Sequence, residues 1–249
     1  MKREWRDFRL AAAFLTILPT ARDVEIDSGR LARSMGFFPA VGLAIGVGLV
    51  ILDWLLGAFM PRAVLDCLLL LILVMVTGAL HLDGMADLID GLAGGKDREG
   101  ILAIMKDSRV GAIGAVALVM ILLLKYLSLF HLPQEMKHAA LMFMPCAGRW
   151  VQVMLAAFCR YLRPEGTGAA FIEQVGERET MLATGTMLLA SFVLFGLKGI
   201  FLVFLVGLAA MVLIRFFQRR LGGVTGDVLG ASTEIIEVFT LLSILAVLA

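Results

Sequence analysis

The chain has 249 residues, of which 60% are hydrophobic and 17% are charged, and its formal net charge at pH 7 is +1. Soluble domains are about half apolar and carry about a quarter charged residues. The composition therefore excludes an ordinary soluble domain and predicts an all-α, polytopic membrane protein that has the lipid bilayer, and no nucleic acid, as a partner. The three cysteines form no CxxC pair, so we interpret them as apolar packing residues.

The first predicted element is an N-terminal helix. The sequence MKREWRDFRL is basic and then apolar, and it lacks the cleavage site of a signal peptide, so we predict an interfacial or re-entrant helix. About seven apolar stretches follow; the first four are near or above the length of about 20 residues that crosses a bilayer, and the last three are shorter. They are residues 35–60, 63–80, 111–130, 139–158, 181–197, 199–214 and 235–249. No repeat or linker divides them, and we predict a single integral domain, 1–249.

The longer polar connections hold most of the positive charge. They are residues 1–34, 81–110, 159–180 and 215–234, and together they contain 17 of the 22 Lys and Arg residues. Because cytoplasmic loops are enriched in Lys and Arg, we predict that the N-terminus and the three internal loops are cytoplasmic. We expect the catalytic residues in those three loops.

The loop at 81–110 begins with HLDGMADLIDG, which follows an apolar stretch and contains Asp83, Asp87 and Asp90. On a helix, residues spaced by four and three positions share one face, so the three carboxylates are predicted to form a ridge. Like charges at this spacing repel, and Mg²⁺, which binds a few carboxylates together with substrate phosphates, would relieve the repulsion. The alternative is a loop whose acidic residues only face water.

The same loop continues with GLAGGKDREG and IMKDSRVGAIG. Glycines allow backbone N–H groups to approach an anion, although a Gly-rich loop alone is weak support. The segment from Lys106 to Arg109 adds two cations, the Asp107 carboxylate and the Ser108 hydroxyl. These groups suit a phosphate site, in which cations and a metal neutralise phosphate oxygens. The alternative is a basic anchor beside the membrane.

Two further features bear on this site. Arg149 lies midway along an apolar stretch, where a charge is costly, so it is predicted to face a polar cavity, a cytoplasmic-side acid or a substrate phosphate; alternatively it snorkels to the interface. The segment RRLGGVTGDVLGASTEIIE precedes the last span and suggests a second tight-turn site, with acids that could bind a metal. Its polar residues are Thr225, Asp227, Ser232, Glu234 and Glu237. Ordinary turn residues and a Ser/Thr helix cap would explain much of this segment.

These motifs together resemble the cobalamin synthase family, the adenosylcobinamide-GDP ribazoletransferases. The resemblance rests on HLDGMADLIDGLAGG with IMKDSRVGAIG, on FLTILPT and FFPAVGLAIG, and on GGVTGDVLGASTE, and it covers nearly the whole chain. It implies a multi-pass inner-membrane enzyme of vitamin B12 synthesis that requires Mg²⁺. Such an enzyme joins adenosylcobinamide-GDP to α-ribazole, or to its 5′-phosphate, and releases GMP. One departure is Thr233, near which the family often has Asn, and we give this residue no catalytic role.

The implied chemistry assigns roles to the candidate residues. The predicted Mg²⁺ ligands are Asp83, Asp87 and Asp90, and the predicted catalytic residues are Asp83, Asp87, Asp107 and His81. The predicted substrate-binding residues are Lys106, Ser108, Arg109, Arg149, Thr225 and Asp227. His81 could titrate near neutrality or could serve only as a hydrogen-bonding residue at a helix end. A homo-oligomer, or a complex with other cobalamin-assembly enzymes, would be compatible with the sequence.

Two other functions are compatible with parts of the sequence. The segment DGMADLID resembles the start of the CDP-alcohol phosphotransferase signature, DGxxARx8GxxxDxxxD, but the arginine is missing and no GxxxDxxxD follows. A small secondary transporter would also place polar residues in interrupted helices. It would be expected to show two related halves and acids near the middle of the bilayer, whereas here the acids gather at one face.

Overall fold

The computed structural model describes residues 2–25, 27–107, 109–163, 172 and 174–247. Most of these residues form α-helices. In chain order the helices are α1 (Lys2–Leu15), α2 (Ser28–Met35), α3 (Phe38–Leu56), α4 (Arg62–Val76), α5 (Leu80–Gly94), α6 (Arg98–Ile104), α7 (Ala112–His131), α8 (Gln134–Phe158), α9 (Glu177–Phe195), α10 (Leu197–Arg220) and α11 (Gly226–Val247). The prediction of an all-α bundle is confirmed.

The described part of the chain contains five helices that are long and apolar enough to cross a membrane: α3, α7, α8, α10 and α11. Helices α4 and α5 qualify only as a pair, which gives up to six spans where the sequence predicts about seven. The predicted span at 181–197 corresponds to α9, which does not qualify. Its first turn contains Glu177, Arg178 and Glu179, and these charges lower the mean hydropathy of the helix.

The predicted span at 63–80 does not run straight across the bundle. Helix α4 ends at Val76, and α5 leaves it at an angle of 87°. Gly78 and Ala79 both adopt left-handed backbone conformations, with φ of 60° and 57°. Consecutive left-handed residues cannot continue a right-handed helix, so the chain turns here. The HLDGMADLIDG motif therefore lies on a helix of its own.

Helices α8 and α11 form the centre of the bundle. Within their most apolar segments 83% and 72% of residues are buried, against about a third or less in α3, α7 and α10. Helix α3 packs closely on α8, because Gly42 and Gly46 bring its backbone against that of α8 near Pro145 and Met142. Such closely packed small residues are typical of helix pairs in membranes. The outer helices expose apolar side chains, as expected of surfaces that face lipid.

The ends of several helices meet at one end of the bundle, which we call the site end. It comprises α5 from Asp83 onward, the start of α7, the end of α8 and the start of α11. Hydrogen bonds from Gly111 and Gly114 to Asp90 join α7 to α5, and a bond between the backbones of Leu162 and Val224 joins the segment after α8 to the one before α11. The structure thus brings together three regions that are distant in the sequence.

Candidate active site

The two acid-bearing motifs meet where α5 packs on the first turn of α11. Gly84 makes this contact possible: a Cβ atom at this position would lie 2.7 Å from the backbone oxygen of Asp227. Real Cβ atoms do not approach backbone that closely, so only glycine fits without a shift. As a result Asp227 joins the acidic residues that flank Gly84.

Asp83 and Asp87 lie on α5 next to this contact. Asp83 is exposed and Asp87 is half-buried. The negative charges of Asp83, Asp227 and Asp90 all act on the Asp87 carboxylate, and Arg163 is the cation that opposes them. The structure therefore places the carboxylates of α5 close enough to interact, and it adds Asp227 from the far end of the chain.

Asp90 has a different environment from the other two acids of α5. Its carboxylate oxygens accept hydrogen bonds from the N–H groups of Gly111 and Gly114, at 2.7 and 2.8 Å. An acid that accepts the free N–H groups of a helix start both caps the helix and interacts favourably with its dipole. The structure thus gives Asp90 a role in holding α7, and its predicted role as a metal ligand stays a prediction.

The loop between α6 and α7 lies at the same end as these acids, because Gly111 is bonded to Asp90. Lys106 is exposed in this loop, and Arg109 is exposed and pairs with Asp107 at 2.6 Å. Hydrogen bonds from the Arg109 side chain and backbone lower the pKa of Asp107 to about 2. Ser108 lies outside the described residues. The predicted phosphate-binding cations are thus accessible from solvent.

Arg149 lies in the interior of the bundle and is 1% exposed. It donates a hydrogen bond to Glu237, and Lys125 donates to both Glu234 and Glu237. The expectation that a charge within a span needs a partner is borne out, since the partner is an acid of α11. The cavity beside these side chains is about 10 Å³, room for about one water molecule.

His81 belongs to the same buried network. Its Nδ1 lies 3.4 Å from the Arg149 guanidinium, and its Nε2 lies 2.9 Å from the amide nitrogen of Gln152. Gln152 also donates to the Thr233 hydroxyl at 2.6 Å. His81 is 2% exposed and occupies a hydrogen-bonded position at the start of α5. Its predicted catalytic role stays a prediction.

Thr225 and Asp227, both in the GGVTGD segment, have different roles. One caps a helix, and the other contributes to the site. Thr225 is fully buried, and its hydroxyl accepts the N–H of Val228, so it caps α11. Asp227 is half-buried and accepts a hydrogen bond from Arg163 at 2.7 Å. The structure thus supports the capping alternative for Thr225, while Asp227 contributes to the site.

Arg163 is the residue of the site that the sequence analysis missed. It follows α8 in the loop at 159–180, and its guanidinium contacts both Asp227 and the backbone oxygen of Met105, the latter at 3.3 Å. The available signal was its place in one of the predicted cytoplasmic loops. Nothing in the local sequence shows that this loop returns to the start of α11.

The acidic residues suit a hard cation in their chemistry. No group of three or more His, Cys, Asp or Glu residues within the described ranges is already arranged to hold a metal ion. Mg²⁺, however, is usually bound by one or two carboxylates, with water and substrate phosphates as its other ligands. Asp83 and Asp87 provide such carboxylates, and the accumulated negative charge around Asp87 would favour a cation there. The donor set therefore fits Mg²⁺ bound jointly with a phosphorylated substrate.

Comparisons with known proteins identify the family of this chain. The family model described as cobalamin-5-phosphate synthase matches residues 7–245. A relative from Geotalea daltonii is 42% identical over 242 residues, which cover 97% of this chain and 98% of the relative. One from Desulforamulus reducens is 37% identical over 95% of both chains, and one from Pseudomonas fluorescens is 38% identical over 95% of this chain and 98% of its own. All three are named adenosylcobinamide-GDP ribazoletransferase.

No solved structure matches the chain. The similarity to the curated relatives is nonetheless nearly full-length, and the matched region includes α5, the α6–α7 loop, Arg163 and the start of α11. The chain therefore belongs to the cobalamin-5-phosphate synthase family of transferases.

Proposed function

We propose that this protein is a membrane transferase that joins adenosylcobinamide-GDP to α-ribazole, or to its 5′-phosphate, and releases GMP. The observation that carries the proposal is the nearly full-length similarity to relatives with this name. The gathering of Asp83, Asp87, Asp227 and Arg163 at the site end supports it, because acids and a guanidinium suit a reaction at a diphosphate.

The proposed reaction is a displacement at phosphorus. A hydroxyl oxygen of the ribazole ribose forms a new bond to the phosphorus attached to the corrinoid arm, and the bond from that phosphorus to the GMP oxygen breaks. The hydroxyl proton goes to a carboxylate of the site or to water. Such reactions need mainly positioning and charge stabilisation from a protein, and these are what the residues of the site end can provide.

In this proposal Asp83 and Asp87 hold Mg²⁺, which when bound supplies positive charge to the diphosphate. Lys106 and Arg109 are exposed beside the acids and would bind phosphate oxygens. Asp107 would act as a further ligand or as the base, and its pairing with Arg109 keeps it ionised. Arg149 and His81 are buried, so we expect them to act by holding α5 and α11 in place.

We further propose that the protein lies in the inner membrane with its site end toward the cytoplasm. Support comes from the 17 of 22 Lys and Arg residues in the N-terminal segment and the three predicted cytoplasmic loops. Association with itself or with other cobalamin-assembly enzymes is part of the same proposal.

The decisive experiment incubates the purified protein with adenosylcobinamide-GDP, α-ribazole and Mg²⁺, and measures GMP and the cobalamin product. We expect product with Mg²⁺, none with EDTA, and recovery when Mg²⁺ is added back. The Asp87→Asn variant should lose turnover, whereas Glu99→Gln, an exposed acid on nearby α6, should keep it. Full turnover in EDTA, or in Asp87→Asn, would contradict the proposed metal role.

A further inference from the structure

A groove of about 520 Å³ lies at the site end, beside the acidic residues. Its described lining includes Arg160, Tyr161 and Arg163, with apolar side chains such as Leu162. This volume is within the range of about 300–1,000 Å³ that small-molecule sites occupy. Arg163 lines the groove and also contacts Asp227, so the groove and the acidic residues share a wall.

The lining segment is attached firmly to the start of α11. The N–H of Val224 donates to the Arg160 oxygen, and the N–H of Leu162 donates to the Val224 oxygen, both at 2.9 Å. Gly223 permits this pairing, since a Cβ there would lie 2.1 Å from the Arg160 oxygen. The short bridge therefore holds this side of the groove at a fixed position relative to Asp227.

The chemistry of the lining suits a nucleotide. Arg160 is exposed, and the Arg163 side chain keeps 26% of its surface exposed while bonded to Asp227. Guanidinium groups bind phosphate oxygens through two parallel N–H donors and also stack on flat rings. Tyr161 presents a partly buried aromatic ring, and aromatic rings stack on nucleobases. The groove thus combines cations for a phosphate with an aromatic group for a heterocycle.

We propose that this groove binds the nucleoside-phosphate part of a substrate, with Arg160 and Arg163 binding the phosphate and Tyr161 contacting the base. Arg163 would then place the phosphate next to Asp227 and Asp87. The inference rests on the proposed function, in which both the GDP group and the ribazole phosphate have this chemistry. It adds the location of that part of the substrate and three residues that bind it.

The test measures binding without turnover. Equilibrium binding of GDP, GMP and α-ribazole 5′-phosphate to the detergent-purified full chain is measured by calorimetry with Mg²⁺ present. We expect Arg163→Lys and Arg160→Gln to weaken binding of at least one ligand by on the order of tenfold, equivalent to about 1.4 kcal/mol. Arg219→Gln, an exposed arginine at the end of α10, is the matched control and should bind as the wild type does.

The three ligands distinguish the two substrates that could supply the phosphate, the guanosine-bearing donor and the ribazole acceptor. Weakened binding of GDP and GMP alone would assign the groove to the guanosine half of the donor, and weakened binding of the ribazole phosphate alone would assign it to the acceptor. The Arg160 side chain has no hydrogen bond or ion pair within the described residues, so Arg160→Gln keeps the test valid if Arg163→Lys fails to fold. Unchanged binding of all three ligands in Arg160→Gln, or no binding to the wild type, would overturn the inference.

The same variants separate this inference from the proposed function. A wild type that binds nucleotide through these arginines but makes no cobalamin would contradict the function and leave the groove assignment standing. A wild type that makes cobalamin, with variants that bind and turn over normally, would contradict only the groove assignment.

Discussion

Lys125, Arg149, Glu234 and Glu237 form a group of two cations and two acids in the apolar interior. Each is less than 6% exposed, and their formal charges sum to zero. An uncompensated charge in such a place is costly, whereas a paired one can be tolerated. The balance of charge, more than any single bond, is therefore what should matter for stability.

This balance predicts the effect of removing one charge or two. Lys125→Met leaves two acids facing only Arg149, and we expect it to destabilise the fold by roughly 3–5 kcal/mol, the usual cost of breaking a buried pair. Lys125→Met combined with Glu234→Gln restores neutrality and should recover part of the loss. Thermal unfolding of the purified variants in detergent measures both effects. A double variant less stable than Lys125→Met would show that charge balance is not the reason.

Arg109 differs from these buried charges, since its side chain is 88% exposed. Exposed ion pairs contribute little to stability, so Arg109→Gln should leave the unfolding temperature unchanged. The Arg109 hydrogen bonds lower the pKa of Asp107 from 3.8 to about 2. Any stabilisation from the pair is therefore present above pH 4 and lost between about pH 4 and pH 2, and we expect that loss to be small.

If Arg109 binds a phosphate, its loss should appear in turnover. We expect Arg109→Gln to reduce kcat/KM by at least on the order of tenfold, which corresponds to about 1.4 kcal/mol of transition-state stabilisation. Cobalamin formation by the purified variant measures this, and Arg22→Gln, an exposed arginine in the segment after α1, is a suitable control. Equal kcat/KM in the two variants would remove Arg109 from the phosphate site.

At the level of single residues, the sequence indicates which side chains occupy unusual positions, but it does not indicate which residues they contact. Arg149 stood out because a charge in an apolar segment requires compensation, but its partner Glu237 is 88 positions away. The spacing of Asp83, Asp87 and Asp90 was informative, yet Asp90 bonds to Gly111 and Gly114. Long-range partners depend on how helices pack, and local spacing contains no information about that.

Helices α5 and α11 determine the site through their backbone contact. Gly84 allows the two backbones to approach closely. The contact therefore brings together acids that belong to different helices. The sequence predicts a loop with a ridge of acids at residues 81–110 and does not indicate the bend at Gly78 and Ala79. A continuous apolar run predicts a straight span, because hydropathy does not report the left-handed residues that end α4.

A substitution at this contact should affect both stability and chemistry. Gly84→Ala places a Cβ 2.7 Å from the Asp227 oxygen, so the helices must separate, at a cost of roughly 1–3 kcal/mol for overpacking. Turnover should fall as well, because Asp227 moves away from Asp87. Gly207→Ala in α10 is the control: its Cβ would meet no atom within 4 Å, and alanine favours a helix. Equal stability and turnover for both variants would rule out a tight contact at Gly84.

Across the whole molecule, the charges separate the two ends of the bundle. Opposite the site end, Lys137 pairs with Asp53 and Asp66, at 2.5 and 2.6 Å, and Arg62 lies 3.5 Å from Asp66. These two cations are neutralised by buried acids. The positive-inside rule counts Lys and Arg rather than net charge, so the proposed cytoplasmic orientation of the site end rests on the 17 of 22 Lys and Arg residues in the four longer polar segments.

This orientation predicts which residues a membrane-impermeant maleimide can label. In a chain without its three native cysteines, Lys96→Cys lies between α5 and α6 at the site end, and Lys198→Cys lies in the first turn of α10, at the opposite end. Both positions are exposed. In spheroplasts only the variant at position 198 should react, and in inverted membrane vesicles only the variant at position 96. The reverse labelling pattern would place the acids on the outer side of the membrane and contradict the proposed orientation.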